Sequence, residues 1–503
     1  MTTIIDGNNE MDCRAYAQEL IKFIDQSHWL LHGHNVDFYL DGFFEKLPAE
    51  WNSLLDYSME ELVQLGCYGT LRLDASESLR KFVTNSKQLP LNRKPTSDVE
   101  HYNVIQSSSS LHHLVQLGMN PKKVAEVQSL SSLIAHYCEK FNINTIIDMG
   151  SGQGYLDAAL AFHYHLNVIG VDDNTVQTCG AICNLQKMEK YFFKNYDSNL
   201  FGCLFHINSR ITINESLSDI LKRIDVNLSD TIFDNLDQKP TRYGQEKGKS
   251  NLEKLKLLQS QDTSDWLLCG LHTCGDLAVS MIKQFIHSDA KVMINVGCCY
   301  NMITEPELDN NPTNRESLDV RHFGYPLSQF VRDQGLYLGS SSRMTACQAI
   351  CRWSDDPSSI ENFKKNAWRA MLQVVLVESG CVSQQEASKT VLGKLGKGAF
   401  KEGFVTYVEK ALQKLKIQYP GEKISESLVH QVEEQYSSRM KEVAIIWTLR
   451  SLLSECIESL ILVDRVLYVK ENQPNTSISL IPIFDHQTSP RNMALICTKE
   501  LQV

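Results

Sequence analysis

Two neighbouring stretches decide the fold of this chain, and they are Ile146-Ile147-Asp148-Met149-Gly150-Ser151-Gly152-Gln153-Gly154-Tyr155 and Val168-Ile169-Gly170-Val171-Asp172. They predict an apolar strand, a glycine-rich turn, a helix and a second apolar strand that ends in a carboxylate. This order is typical of the half-unit with which an open parallel sheet holds an adenosine. Glycine suits the turn because the backbone bends sharply and must approach the ligand without a β-carbon in the way. The acid at the end of the second strand can accept hydrogen bonds from both hydroxyls of a ribose.

The spacing of the glycines favours S-adenosylmethionine over a dinucleotide. A dinucleotide fingerprint has the pattern G-x-G-x-x-G, which places a pyrophosphate over the start of the helix. Here the pattern is G-x-G-x-G, and an acid stands two residues before the first glycine, where it can orient the cationic methionine part directly or through the backbone. The predicted cofactor-binding residues are Asp148, Gly150, Ser151, Gly152, Gln153, Gly154, Tyr155 and Asp172.

Two other interpretations of the glycine turn are less favoured. The turn could be only a tight connection between a strand and a helix, but an acid at the end of the next strand argues against that. A flavin or nicotinamide oxidoreductase on the same fold class is disfavoured because the chain lacks a turn of the pyrophosphate-binding type.

Composition limits the class of protein and its partners. The chain has 503 residues with 49 Lys and Arg against 60 Asp and Glu, a net charge of -11. A protein that gains its affinity by neutralising phosphates is ordinarily basic, so strong non-specific nucleic-acid binding is not expected. The 15 cysteines are scattered, and the first residues lack the apolar region of a signal peptide. We therefore expect free thiols and an intracellular location, cytoplasmic, nuclear or both.

Hydrophobic patterning predicts an α/β fold, a Rossmann-like seven-stranded methyltransferase sheet of class I. No apolar run is long enough to span a membrane, so no membrane partner is expected. The near-continuous apolar strands are typical of a parallel sheet covered on both faces. Strands are predicted at residues 145–148, 168–172, near 210–213, 265–272, 291–300, 477–484 and 492–498, and helices at 122–141, 175–190, 276–286 and 449–469.

The order of these predicted strands and helices indicates a discontinuous domain. Residues 1–120 are predicted as a helical accessory region and residues 121–302 as the first part of the methyltransferase core, with a polar insertion at about 218–261. A mainly helical insertion would fill residues 303–444. Residues 445–503 would then complete the core with a helix and an edge hairpin.

Acceptor-side residues are expected in the loops after the fourth and fifth strands, because ligands lie beyond the carboxyl ends of the strands. His272 could act as a general base, and Asp276 could orient it or cap the next helix. Tyr300 could stack on a planar acceptor or simply pack in the core. Enzymes that methylate exocyclic amines of bases usually carry an Asn/Asp/Ser-Pro-Pro-aromatic loop here, which this chain lacks, so adenine N6 chemistry loses its support.

Cysteines near this edge raise the question of a metal site, which the sequence leaves open. His272, Cys274, Cys298 and Cys299 could provide four ligands if strands four and five are neighbours, and zinc uses such Cys₃His sets. Adjacent cysteines point to opposite sides of an extended strand, however, so both could bind one ion only after the strand had ended. Free thiols, buried or reactive, are the favoured alternative.

These residues resemble the eukaryotic methyltransferase-like protein family that includes methyltransferase-like protein twenty-five and the ribosomal RNA adenine dimethylase domain-containing protein. The resemblance runs from about residue 120 to the end of the chain. It implies a class I methyltransferase that depends on S-adenosylmethionine. The pieces that carry it are Lys122-Lys123 with Glu126-Val127, the glycine loop at 148–156, Gly270-Leu271-His272-Thr273-Cys274-Gly275-Asp276-Leu277, Val296-Gly297-Cys298-Cys299-Tyr300, Asp464-Arg465 and Ser489-Pro490-Arg491-Asn492.

Two functions therefore compete on the sequence alone. The first is an S-adenosylmethionine-dependent methyltransferase, with His272, Asp276 and Tyr300 as candidate catalytic residues. Its acceptor is a protein side chain, an RNA or a small metabolite, and the acidic composition favours a protein or a metabolite. The second is a catalytically inactive methyltransferase fold that serves as a binding or scaffold module.

Overall fold

The structure is a computed structural model that describes residues 5–6, 10–33, 35–94, 103–105, 109–212, 266–306, 323–387, 392–393, 395–417 and 424–499. Its strands are β1 (Ile5–Asp6), β2 (Thr145–Met149), β3 (Asn167–Asp172), β4 (Leu204–Asn208), β5 (Trp266–Cys274), β6 (Val292–Cys298), β7 (Thr476–Pro482) and β8 (Met493–Lys499).

The helices, in chain order, are α1 (Glu10–Gln26), α2 (His28–His32), α3 (Met59–Tyr68), α4 (Glu77–Gln88), α5 (His113–Gln116), α6 (Pro121–Phe141), α7 (Tyr155–Phe162), α8 (Thr175–Asn195), α9 (Asp276–His287), α10 (Gln329–Asp333), α11 (Gly339–Ala346), α12 (Ser359–Glu378), α13 (Gln384–Ala387), α14 (Phe404–Leu415), α15 (Glu426–Ser437), α16 (Met440–Leu452) and α17 (Ser454–Asn472). None of these described helices combines the length and hydropathy needed to cross a bilayer.

The chain divides into two compact units, and each is built from separate stretches of sequence. Unit 1 comprises residues 1–18, 91–337 and 460–503, and unit 2 comprises residues 19–90 and 338–459. Two of the four divisions fall inside helices, α1 and α17. The four segments expected from the sequence stay a prediction, and the polar insertion at 218–261 lies outside the described residues.

Unit 1 holds a single sheet with the strand order β1-β7-β8-β6-β5-β2-β3-β4. The five strands β2 to β6 are parallel, and β8 runs antiparallel between β6 and β7. This confirms the predicted Rossmann-like sheet and its carboxyl-terminal hairpin. The structure adds an eighth strand, β1, which pairs with β7 at the edge.

The core of unit 1 explains why the central strands are apolar throughout. All five residues of β2 and all seven of β6 are buried, as expected for strands covered on both faces. Helices α6, α7 and α9 pack on the sheet, and the predicted bounds of α6 and α9 are confirmed to within a residue. The third strand was predicted near residues 210–213, and that was wrong: β4 lies at Leu204–Asn208, where Leu204 pairs with Val168 of β3.

Unit 2 is helical among its described residues. Helix α12 packs against α16 and α15, and α16 also packs against α3. Aromatic side chains fill its interior, including the Trp51–Phe82 pair with ring centroids 5.1 Å apart. Residues 43–56 form two 3₁₀ segments, Phe43–Lys46 and Ala49–Asp56, because Pro48 between them cannot continue an α-helix.

Candidate functional site

The glycine loop joins β2 to α7 and is fixed against β3. The backbone amides of Gly150 and Ser151 donate to the carbonyl of Val171 at 2.8 and 3.2 Å. Gly152 and Gly154 have φ of 57° and 72°, a left-handed conformation that side chains other than glycine rarely adopt. The loop therefore takes its shape from its glycines and is held at the carboxyl edge of the sheet.

The surroundings of the loop differ from one glycine to the next. A β-carbon at Gly154 would lie 2.5 Å from the His206 ring, and one at Gly150 would lie 2.9 Å from Leu277. A β-carbon at Gly152 would have no atom within 4 Å. The loop is therefore packed at both ends and open at its centre, which is where a ligand could approach the backbone.

Asp172, at the end of β3, lies against this loop. Its Oδ2 accepts a hydrogen bond of 3.0 Å from the backbone amide of Gly152, and its Oδ1 accepts one of 2.9 Å from Asn174. The glycine turn and the strand-ending acid thus meet at one place. A half-buried carboxylate beside an open backbone turn suits a ribose, because each oxygen keeps a lone pair for a further donor.

The remaining loop residues lie at the surface of the same turn. The Tyr155 hydroxyl donates to Oε1 of Gln153 at 2.9 Å, and Gln153 is exposed. Ser151 is half-buried, and its side chain lies beside Gly170 of β3. These three residues border the open centre of the loop.

Asp148 is buried rather than displayed on the open side of the loop. Its carboxyl group lies beside that of Asp157 in α7, and neither residue is exposed by more than 2%. Burial raises the pKa of Asp148 to about 6 and raises that of Asp157 well above its usual range. Two carboxyls in contact cannot both ionise cheaply, so the pair retains a proton near neutral pH. Asp148 therefore supports the loop from inside the core.

A histidine completes this buried group. His206 Nδ1 lies 3.4 Å from Oδ2 of Asp157, and burial lowers the pKa of His206 to about 4. Neither Asp157 nor His206 was predicted as a site residue. The sequence carries one signal for Asp157, an acid inside the otherwise apolar helix YLDAALAF.

His272 sits at an irregularity in β5 that turns its side chain out of the strand. The register between β5 and β6 shifts between Leu271 and Thr273, and His272 has a φ of 64°. Such a bulge re-aims a side chain. Nε2 of His272 lies 3.1 Å from Oε2 of Glu126, a buried residue of α6. Sequence reasoning assigned no role to Glu126, because only folding brings these residues together.

Glu126 is held as a carboxylate by the groups around it. Burial alone would raise its pKa, but the hydrogen bond and charge of His272 and the hydroxyl of Ser489 lower the pKa of Glu126 to about 2. Ser489 Oγ lies 2.5 Å from Oε1, and Lys122 Nζ lies 3.5 Å from the same oxygen. The result is a histidine whose ring is oriented by a charged, buried partner.

A cavity of about 340 Å³ adjoins Glu126 and does not include the glycine loop. Its lining mixes polar groups with apolar ones such as Ile105 and Phe484. The cavity lies between α6 and the turn that follows β7. Lys122, Glu126 and Ser489 are among its lining residues, so the carboxylate that orients His272 also faces this space.

The other two candidate catalytic residues, Asp276 and Tyr300, contact other parts of the protein. Asp276 Oδ1 accepts the backbone amide of Thr304 at 2.9 Å, and Asp276 is the first residue of α9, with Gly275 at the N-cap. Glu126, and not Asp276, is therefore the carboxylate hydrogen-bonded to His272. Tyr300 is only 1% exposed, with the guanidinium groups of Arg465 and Arg491 each 5.8 Å from its ring centroid. Its ring is thus enclosed by protein.

The thiols at this edge converge. Sγ of Cys274 lies 3.4 Å from Sγ of Cys298 and 3.3 Å from Sγ of Cys299. His272 does not join this group, since its ring faces Glu126.

Comparisons with known proteins agree with this geometry. Residues 122–306 match the family model described as "Methyltransferase domain". The chain is 26% identical over 476 aligned residues to "Probable methyltransferase-like protein 25" of Homo sapiens, which covers 76% of this chain and 75% of that protein. The protein of the same name from Mus musculus is 26% identical over 472 residues, with the same coverage. A methyltransferase domain implies a methyl donor. The chain therefore contains a methyltransferase domain with a Rossmann-like class I fold, and it is similar to these methyltransferase-like proteins.

Proposed function

We propose that unit 1 binds S-adenosylmethionine at the glycine loop and transfers its methyl group to an acceptor that approaches His272. The observation that carries this proposal is the 3.0 Å hydrogen bond between Gly152 and Asp172. This hydrogen bond places Asp172, the acid suited to a ribose, beside Gly152, the open position of the loop. S-adenosylmethionine supplies a methyl group on a sulfonium, so the protein has mainly to provide proximity and orientation.

The residues of the loop divide this work. Asp172 accepts hydrogen bonds from the ribose hydroxyls. The backbone around Gly152 holds the methionine end, since no side chain stands in the way there. Ser151, Gln153 and Tyr155 border the space, and the buried Asp148 keeps the loop in shape from within.

On the acceptor side we propose His272 as the general base. With Nε2 donating to Glu126, Nδ1 is the nitrogen left to take a proton from the acceptor. Glu126 is then a positioning residue, because it fixes the ring and stabilises its charged form. The acceptor is a protein side chain, an RNA or a small metabolite, and the net charge of -11 favours a protein or a metabolite.

We also propose that the protein works inside the cell, in the cytoplasm, the nucleus or both. None of the fifteen cysteines forms a disulfide, which fits a reducing compartment.

Equilibrium titration with S-adenosylmethionine tests the first step. Asp172→Asn should weaken binding by roughly 10- to 100-fold, since it removes charge-assisted hydrogen bonds of about 1.5–3 kcal/mol. Asp173→Asn is the matched control, because it removes the same charge from the exposed neighbouring residue and should bind normally. Unchanged affinity in Asp172→Asn would refute the pocket assignment.

Methyl transfer is tested with labelled donor in cell extracts treated with wild-type protein, Gly152→Arg and His272→Gln. Label should appear with wild type, be absent with Gly152→Arg, and fall with His272→Gln while donor affinity is kept. Donor binding without transferred label in any fraction would favour the alternative, an inactive scaffold.

A further inference from the structure

Three cysteine thiols meet where two neighbouring strands of unit 1 end. Cys274 is the last residue of β5, Cys298 is the last residue of β6, and Cys299 follows it. Their sulfur atoms form a triangle with sides of 3.3, 3.4 and 3.6 Å. We call this group the thiol triangle. Its sides are far longer than a disulfide bond of about 2.05 Å, and none of the three cysteines is in a disulfide.

The backbone makes this convergence by ending the strand between the two adjacent cysteines. In a continuing strand, Cys298 and Cys299 would point to opposite faces of the sheet. Cys299 instead has a φ of 49°, a left-handed conformation that is uncommon for a residue with a side chain. The chain therefore turns at Cys299, and both sulfur atoms face Cys274.

A buried positive charge lies beside the thiol triangle. Arg465 is 1% exposed, and its Nε, Nη1 and Nη2 have no hydrogen-bond partner among the described residues. Its Nη1 would be 2.5 Å from a β-carbon at Gly297, the residue before Cys298. A buried charge is costly unless an opposite charge compensates it. The carboxyl groups of Asp464 and Asp276 act on this charge from nearby, and three neutral thiols add no further negative charge.

We propose that Cys274, Cys298 and Cys299 bind one thiophilic divalent ion, Zn²⁺ by preference, and leave its fourth position open. Thiolates at ~2.3 Å from zinc stand about 3.8 Å apart in an ideal tetrahedron, close to the sides of the thiol triangle. Binding releases the thiol protons to solvent and leaves a complex with one net negative charge, which adds to the carboxylates that already face Arg465.

The fourth position is open because no other His, Cys, Asp or Glu of the described residues joins the thiol triangle. Cys274 is exposed, so solvent or a small ligand can reach the ion from that side. Three protein ligands with an open fourth position are typical of catalytic zinc, whereas structural zinc sites are closed by a fourth protein ligand. The site is thus expected to exchange its fourth ligand.

Metal binding by the reduced full-length protein tests this proposal without donor or acceptor. After chelation and return to metal-free buffer, Zn²⁺ should bind with one equivalent per chain. Co²⁺ in its place should give the thiolate charge-transfer absorption and the intense visible bands of a tetrahedral site. Because neither readout involves methyl transfer, failure of the proposed function would leave this result intact.

Cys274→Ser is the main variant, since this thiol is exposed and its loss should leave the fold intact. It should lose more affinity than the roughly 10- to 100-fold typical of changing a partner that hydrogen-bonds to a ligand. Cys179→Ser, a half-buried thiol of α8 outside the thiol triangle, is the matched control and should bind as wild type. Arg465→Met should weaken zinc binding while keeping the tetrahedral cobalt spectrum.

Three results would overturn the proposal. The first is absence of stoichiometric zinc or cobalt binding by protein whose thiols are shown to be reduced. The second is wild-type affinity in Cys274→Ser. The third is recovery of copper in place of zinc.

Discussion

At the scale of single residues, we expect two glycines of the loop to differ in role: Gly154 in packing and Gly152 in ligand binding. Gly152→Ala places a β-carbon in open space, so only the left-handed backbone resists it, at about 1–2 kcal/mol. Gly154→Ala meets the same strain and also presses on His206 and Ala181.

We therefore expect Gly152→Ala to keep most of its stability and lose affinity for S-adenosylmethionine, while Gly154→Ala unfolds at clearly lower urea. Urea unfolding and equilibrium titration of both variants check this. Equal loss of stability in the two variants, or unimpaired binding by Gly152→Ala, would contradict the assignment of the open position.

The pair formed by Glu126 and His272 makes stability depend on pH in a defined direction. The pKa of Glu126 is lowered from 4.5 to about 2, so the folded state favours the ionised form. Its stabilising effect is complete above about pH 4.5 and is lost as the pH falls towards 2. The full effect is on the order of 3 kcal/mol.

Urea unfolding of Glu126→Gln and wild type between pH 3 and pH 6 should show this. The difference in unfolding free energy should be largest at the upper end and shrink as the pH falls. Glu139→Gln, which changes an exposed carboxylate of the same helix, should show no such trend. A difference that stays constant with pH would mean that the carboxylate is not held by His272.

Some residues of the candidate site could be predicted from the sequence, and others could not. Asp172 and the glycines were found because their partners follow at fixed spacing along one βαβ unit. Glu126 and His206 were missed because each meets its partner only after folding, across more than one element. The bulge that turns His272 towards Glu126 depends on pairing between β5 and β6, which no local pattern encodes.

At the scale of elements, long apolar patterns were predictable and pairing-dependent details were not. The carboxyl-terminal hairpin was identified from two β-rich runs around a proline-containing turn, and β7 and β8 confirm it to within two residues at each end. The third strand was misplaced because Ile211 and Ile213 suit a strand as well as Leu204 and Ile207 do. Pairing with β3 decided between them.

Two further elements had no signal of their own. β1 has two residues, too few for any periodicity, and exists through its pairing with β7. The long helix expected at residues 449–469 is α16 followed by α17, and no glycine or proline marks the break at Leu453. Buried Asp464 of α17 accepts the amides of Leu327 and Ser328 at 2.7 and 2.8 Å, which ties distant sequence to this helix.

At the scale of the whole molecule, the two units have separate cores, and tryptophan can report on them separately. Unit 1 contains one of the six tryptophans, Trp266 in β5, and the other five lie in unit 2. Trp266 is fully buried, and its Nε1 has no hydrogen-bond partner among the described residues. Trp266→Phe therefore removes the signal of unit 1 and an unsatisfied donor with little change in packing.

The residues proposed to bind the cofactor all belong to unit 1, so S-adenosylmethionine should stabilise that unit. At a hundredfold excess over its dissociation constant, the ligand adds about 2.7 kcal/mol to the unfolding free energy. The fluorescence difference between wild type and Trp266→Phe should then move to higher urea. The signal that remains in Trp266→Phe reports unit 2 and should move less, provided that titration shows normal ligand binding by this variant. A ligand-induced shift confined to the unit 2 signal would mean that S-adenosylmethionine binds unit 2, which would contradict the proposed site in unit 1.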